Sequence, residues 1–182
     1  MLLGLWIARN VNQVRGVMVA GSTLLLILAA YLTVSYIGLR NGGATDEMLY
    51  TDSIVWYAPL HIAYSVGVDG ISVVMLLLSS IIVFTTFASW KLKPLTKEYF
   101  LWFTLLSTGV FGFFISTDLF TMFMFYEVAL IPMYLLIGVW GSGKKEYAAM
   151  KLTLMLMGGS AFLLIGILGI FYGAGGETMN IL

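Results

Sequence analysis

The chain has 182 residues, of which 60% are hydrophobic and 10% charged, with a mean hydropathy of +0.99 and a formal charge of zero. That apolar share is too high for a soluble globular domain and marks an integral membrane protein. Nine bases balance nine acids, so net charge gives no argument for nucleic acid, and the lack of cysteine excludes disulfides, thiolate zinc sites and cysteine-ligated iron–sulfur clusters from this chain.

Residues 1–8 are apolar but too short to span a bilayer, and they lack the basic start and small-residue cleavage site of a signal peptide. They suit the tail of a hydrophobic helix that begins earlier. After Arg9 and Arg15 comes the first full span, 17–39, with no charge in it. Residues 40–70 break the pattern with Asn41-Gly42-Gly43, the acids Asp46, Glu47 and Asp52, Pro59 and the single histidine, His61. The aromatic residues Tyr50, Trp56, Tyr57 and Tyr64 place this loop at headgroup level or in a short hairpin against the membrane face, and the sequence leaves both open. His61 has no second histidine or carboxylate cluster to complete a metal site, so no metal is expected.

Asp69 is placed to cap the second span, 71–90. Lys91, Lys93, Pro94 and Lys97 lead to the third, 99–115, and Ser116-Thr117-Asp118 then reverses the chain so tightly that the third and fourth spans must be antiparallel neighbours. The fourth, 118–140, ends at Gly141-Ser142-Gly143, and the fifth covers 152–174. The fold class that follows is an all-α membrane bundle of five full transmembrane helices, forming one domain over 1–182, with a possible partial helix before them. With the N-terminal segment before residue 17 on the cytoplasmic side, eight of the nine Lys and Arg residues lie inside and only Arg40 outside, a strong positive-inside pattern.

The fourth span carries the functional clue. Glu127 lies nine residues after Asp118, roughly 14 Å into a hydrocarbon core about 30 Å thick. An ionised side chain there costs on the order of 2.5–3.5 kcal/mol, so such groups face a bundle interior or a water path and serve ion or proton movement. Burial disfavours the ionised form and makes Glu127 a candidate proton carrier. The alternative is a protonated structural acid bonded to a neighbouring helix. Pro132 has no N–H for the carbonyl of Val128, one residue past the acid, so the helix has a free carbonyl there that calls for a polar interior or marks a simple packing bend.

Other signals are structural. Lys151 sits only one or two turns into the fifth span, whereas Glu127 is about 20 Å from Trp140, so the two are not expected to meet and Lys151 snorkels to the headgroups. Gly158, Gly159, Gly166, Gly169 and Gly173 suit close helix packing, and methionines such as Met122, Met124, Met155 and Met157 fill gaps. The Gly141 to Lys145 run lacks the spacing of a phosphate-binding loop.

The run Glu127-Val-Ala-Leu-Ile-Pro-Met-Tyr-Leu-Leu-Ile-Gly-Val-Trp-Gly141, with Gly67-Val-Asp-Gly-Ile-Ser72 and Phe87-Ala-Ser-Trp90, resembles chain M, the antiporter-like membrane subunit of proton-pumping NADH:quinone oxidoreductase, respiratory complex I. Chain L of that complex has a Trp-Glu-Gly run followed by Cys-Ser-Tyr where this sequence has Leu-Ile-Pro-Met-Tyr, which favours chain M. The resemblance extends from about Val17 to Tyr172. It implies a subunit of a proton-translocating oxidoreductase, with Glu127 matching the family's essential glutamate, which pairs with a lysine on a later helix. It further implies no cofactor in this chain, since flavin, iron–sulfur clusters and quinone are handled by other subunits. The partners implied are the other membrane-arm subunits, the sister antiporter-like chains among them, and the site is the bacterial inner membrane. The family has more spans than this chain and a hydrophobic helix ahead of Arg9, so an N-terminal fragment is expected. A related cation/proton antiporter or membrane-bound hydrogenase subunit, and a non-catalytic membrane scaffold, stand as alternatives.

Overall fold

In the computed structural model, residues 11–43, 48–57, 62–89, 97–173 and 175 are described. They form helices α1 (Val11–Asn41), α2 (Gly70–Ala88), α3 (Lys97–Ile115), α4 (Leu119–Trp140) and α5 (Lys145–Gly173), with strands β1 (Leu49–Tyr57) and β2 (Ile62–Val68) between α1 and α2. All five helices are long and apolar enough to cross a membrane. The first eight residues, His61 and the Lys91, Lys93 and Pro94 connection lie outside the described residues.

Helix ends extend past the apolar segments. The first span, expected at 17–39, is helical over Val11–Asn41, and the fifth, expected at 152–174, begins at Lys145. Hydropathy marks the part of a helix that meets hydrocarbon, whereas the backbone hydrogen-bond ladder continues into the polar zone wherever good helix formers such as Lys, Glu, Ala and Met allow. The second span stops at Ala88, where Ser89 N–H bonds back to the Thr85 carbonyl.

The pairs α1–α2, α3–α4 and α4–α5 run antiparallel, as named contacts at two levels of each pair require. Arg15 near the start of α1 donates to the carbonyls of Ala88 and Ser89 at the end of α2, while Tyr36 near the end of α1 clusters with Val73 at the start of α2. Phe87 of α2 meets Phe100 and Phe103 of α3, with ring centroids 5.7 and 5.2 Å apart. The α3–α4 pair is closest. Gly109 lies where an added Cβ would be 3.0 Å from the Ala129 Cβ and from the Phe125 carbonyl, and at Gly112 the Phe125 ring occupies the space a side chain would need. At the far end of the same pair Tyr99 meets Trp140 edge to face at 5.6 Å. Between α4 and α5, Phe120 packs on Phe171 and Gly138 faces Ala149.

Core packing is concentrated at the two ends of the bundle. Val14, Met18, Val83, Phe87 and Phe100 close one end; Tyr36, Leu49, Val68 and Val73 close the other, beneath the hairpin. Many large apolar side chains elsewhere on the spans are exposed, Leu154, Phe162 and Ile165 among them, as expected where lipid or further helices take the place of water.

The loop after α1 is a hairpin, which resolves the choice the sequence left open. Strands β1 and β2 pair antiparallel, with Ser53 opposite Ser65 and Ile54 opposite Tyr64. The register shifts between Leu49 and Asp52, where Tyr50 takes a positive φ of 57° and its hydroxyl shares a 2.6 Å hydrogen bond with Ser35 of α1. On the other side β2 docks on the α3–α4 turn: Thr117 N–H donates to the Ser65 carbonyl at 3.0 Å, and Val66 bridges Ser116. Gly67 is required there, since a Cβ would be 2.8 Å from the Thr117 Cγ2. The hairpin thus ties the first helix pair to the α3–α4 pair at one end of the bundle.

Candidate proton site in a membrane helix

Helix α4 starts at Asp118, whose carboxylate accepts from Thr121 N–H at 2.9 Å and so satisfies one of the free amides of the first turn. The helix ends at Gly141, and the Lys145 ammonium donates to the Val139 carbonyl at 2.6 Å, which puts a cation at the negative end of the dipole. Between these caps the helix is continuous for 22 residues through Pro132.

Glu127 lies about 12 Å from the Leu119 end and about 20 Å from the Trp140 end. It is half-buried, and its Oε1 is shut off from the surface with no hydrogen-bond partner. Glu127 lines a groove of about 400 Å³ between α4 and α5, shared with Met124, Val128, Ile131, Tyr134, Thr153 and Met157. Val128, whose carbonyl loses its usual helical donor to Pro132, lies on the same groove. Pro132 itself is fully buried. Glu127 and Val128 thus line one groove whose wall is mainly apolar, with Tyr134 and Thr153 as its hydroxyl-bearing residues.

Two polar groups of this groove escaped the sequence reading. Tyr134 follows Glu127 by seven residues, two helical turns on the same face, a spacing the sequence did contain. Thr153 belongs to α5, and only the packing of Gly138 against Ala149 sets the register that brings it to the level of Tyr134. Lys151 does not line the groove; it is exposed, with its ammonium 6.0 Å from the centre of the Tyr147 ring, in line with the depth argument. Among the described residues no group of three or more His, Cys, Asp or Glu side chains is arranged to hold a metal.

Asp69 caps α2 as its position suggested, accepting from Ser72 N–H at 2.7 Å. Desolvation pushes its carboxyl up, but hydrogen bonds from Ser72 and the neighbouring backbone outweigh this and hold it below the ordinary carboxylate value.

Residues 116–182, which include the whole of α4 and the groove, match the family model for the NADH:quinone oxidoreductase/Mrp antiporter transmembrane domain. Residues 116–182 carry a membrane domain of this family. It is 36% identical over 164 residues to NAD(P)H-quinone oxidoreductase chain 4 of the Lemna minor chloroplast, covering 87% of this chain and 32% of that protein. It is 33% identical over 155 residues to NADH-quinone oxidoreductase subunit M of Rhodobacter capsulatus, covering 85% and 29%. The fold superposes on a chain of respiratory complex I from Thermus thermophilus with a TM-score of 0.76 at 22% identity, over 91% of this chain and 33% of the other. The chain thus spans about a third of the length of the relatives it matches. The antiporter-domain match begins at the α3–α4 turn, so the hairpin contact with Ser116 and Thr117 sits at its first residues.

Proposed function

We propose that this chain is part of an antiporter-like subunit M of a proton-translocating NADH:quinone oxidoreductase, with Glu127 as its intramembrane proton carrier. The observation that carries this reading is the Glu127 carboxylate: midway along a spanning helix, with one oxygen buried and unpartnered, on a groove shared with helix α5. A carboxyl group with a buried, unpartnered oxygen inside a membrane span is of the kind that serves ion or proton movement. Val128, Tyr134 and Thr153 line the same groove, and a free carbonyl or hydroxyl turned toward the acid would be a position at which water could approach it.

In this reading the electron transfer, with flavin, iron–sulfur clusters and quinone, takes place in other subunits, and Glu127 responds to it through the membrane arm. The partners are the other membrane-arm subunits, including the sister antiporter-like chains. The membrane is the bacterial plasma membrane, with the start of α1 on the cytoplasmic face and the hairpin outside, supported by the eight basic residues that this orientation places inside.

The test is Glu127→Gln in the assembled complex, reconstituted into vesicles. The substitution keeps the shape of the side chain and removes its proton chemistry. NADH-driven acidification of the vesicle interior should be abolished while the complex still assembles; unchanged pumping overturns the assignment. A packing role has its own support in α5, where Gly158, Gly159, Gly166 and Gly169 each face open space rather than another helix of this chain, a surface suited to neighbouring helices. Failed assembly of the Glu127→Gln variant would favour that structural role.

A further inference from the structure

At the level of Glu127, helix α4 presents opposite faces to its two neighbours. A helix turns about 100° per residue, so Phe125 and Ala129 lie on one face and Glu127 on nearly the opposite one. Helix α3 takes the first face: a Cβ on Gly109 would be 3.0 Å from the Phe125 carbonyl oxygen and from the Ala129 Cβ, and the Phe125 ring lies over Gly112 where a side chain would stand. Thr121 and Pro132 continue that face and are buried, whereas Glu127 takes the other and lines the groove against α5.

The Phe125 ring has a second neighbour, from the hairpin. Tyr64 of β2 packs against it with ring centroids 6.3 Å apart and planes inclined at 58°. The strand that carries Tyr64 is itself pinned to the α3–α4 turn: the Ser65 carbonyl accepts from Thr117 N–H at 3.0 Å, Val66 bridges Ser116, and Gly67 leaves no room for a Cβ beside Thr117. Phe125 thus lies between the backbone of α3 and a side chain of the hairpin. Tyr64 is 40% exposed, so burial of its own surface does not account for this placement.

We propose that Phe125 is the positioning residue for Glu127, and that Tyr64 holds its ring on Gly112, so that the seating of the hairpin is read at the acid. The glycine lets the ring drop onto the α3 backbone, which sets both the separation of α4 from α3 and the rotation of α4 about its axis. Rotation is what matters for the opposite face: with side-chain tips about 5–6 Å from the axis, a turn of about 30° carries the tip of residue 127 by about 3 Å. That displacement is as long as a hydrogen bond, enough to make or break contact with a donor in the groove. Tyr64 and Phe125 are stiff side chains whose rings meet at one preferred separation, which suits them to transmit the position of a strand to a helix. The consequence for pumping rests on the proton-carrier reading above; the control of where residue 127 points does not.

The test exploits the absence of cysteine from this chain. Glu127→Cys is introduced into the whole complex in lipid vesicles and labelled with methanethiosulfonate ethylammonium, the extent being read by mass on the peptide that carries residue 127. Position 127 is half-buried, so freeing α4 exposes it. Tyr64→Leu and Phe125→Leu should each raise the labelling rate by about two- to tenfold, the factor that corresponds to one aromatic contact, whereas Tyr64→Phe keeps the ring and should leave the rate unchanged. With Phe125→Leu in place, Tyr64→Leu should add nothing, because the hairpin acts through that ring. Val139→Cys, near the other end of α4, is the second reporter and should not respond. An unchanged or lower rate at 127, independent effects of the two substitutions, or an equal rise at Val139→Cys overturns the proposal. With Glu127 intact, Tyr64→Leu should lower the protons moved per NADH oxidised and Tyr64→Phe should not; equal yields overturn the link to pumping. Because the thiol reports position and not proton chemistry, normal pumping by Glu127→Gln would remove the proton-carrier reading and leave the positioning role to be decided by the labelling.

Discussion

The α3–α4 contact beneath Glu127 makes a quantitative prediction. In Gly112→Ala the new methyl group coincides with the ring of Phe125, which must leave its position, and Phe125 is two residues before Glu127 on the same helix. Overpacking of this kind costs about 1–3 kcal/mol, and the better helix propensity of alanine returns about 1 kcal/mol, so the net destabilisation is about 0–2 kcal/mol, and Gly112→Ala lies about 1–3 kcal/mol below a variant that has the propensity gain alone. The comparison that isolates the contact is Gly158→Ala, where nothing lies within 4 Å of the added methyl and only the propensity gain applies. Both variants would be unfolded by denaturant titration in the same mild detergent and their midpoints compared. Adding Phe125→Leu to Gly112→Ala frees space at the contact and should recover part of the loss, a non-additive result that separates a true clash from a general effect of alanine. Equal midpoints for Gly112→Ala and Gly158→Ala would refute the assigned α3–α4 register.

Two further outcomes follow from the caps and end contacts. Because hydrogen bonds hold the Asp69 carboxyl below its ordinary value of 3.8, its contribution to the start of α2 is fully present above that value and is lost as pH falls through the lower folded value. Amide exchange in the first turn of α2 should therefore accelerate on acidification in the wild type, whereas Asp69→Ala should cost about 1 kcal/mol at neutral pH and show no such acid step. Arg15→Met removes two bonds to the last carbonyls of α2, but at 3.3 and 3.4 Å on an exposed surface these are weak, so the loss should be about 0.5–1 kcal/mol. A loss several times larger, measured by denaturant midpoint, would mean that Arg15 does more than cap α2.

Much of this protein was determined by its sequence alone, and for a physical reason. A bilayer leaves few solutions: each apolar run must satisfy its backbone internally, so the five spans, the acid in the fourth and the proline beside it could be read from composition and spacing. The caps at Asp69 and Asp118 were legible because capping is a local interaction between residues three apart. What the sequence did not contain was the relation between distant segments. Thr153 meets the Glu127 groove only because Gly138 and Ala149 set the register of α4 against α5. The choice between loop and hairpin for residues 48–68 depended on a surface for β2 to dock against, and the α3–α4 turn, some fifty residues on, provides it. The burial of Asp118 is likewise a tertiary outcome: in sequence it is a cap at the membrane edge, where water would serve both oxygens, whereas in the fold it is fully buried, next to the turn residues on which β2 docks. Local periodicity fixes what a helix is and where it caps, whereas the surroundings of its charged groups are set by whichever distant element the fold places over them.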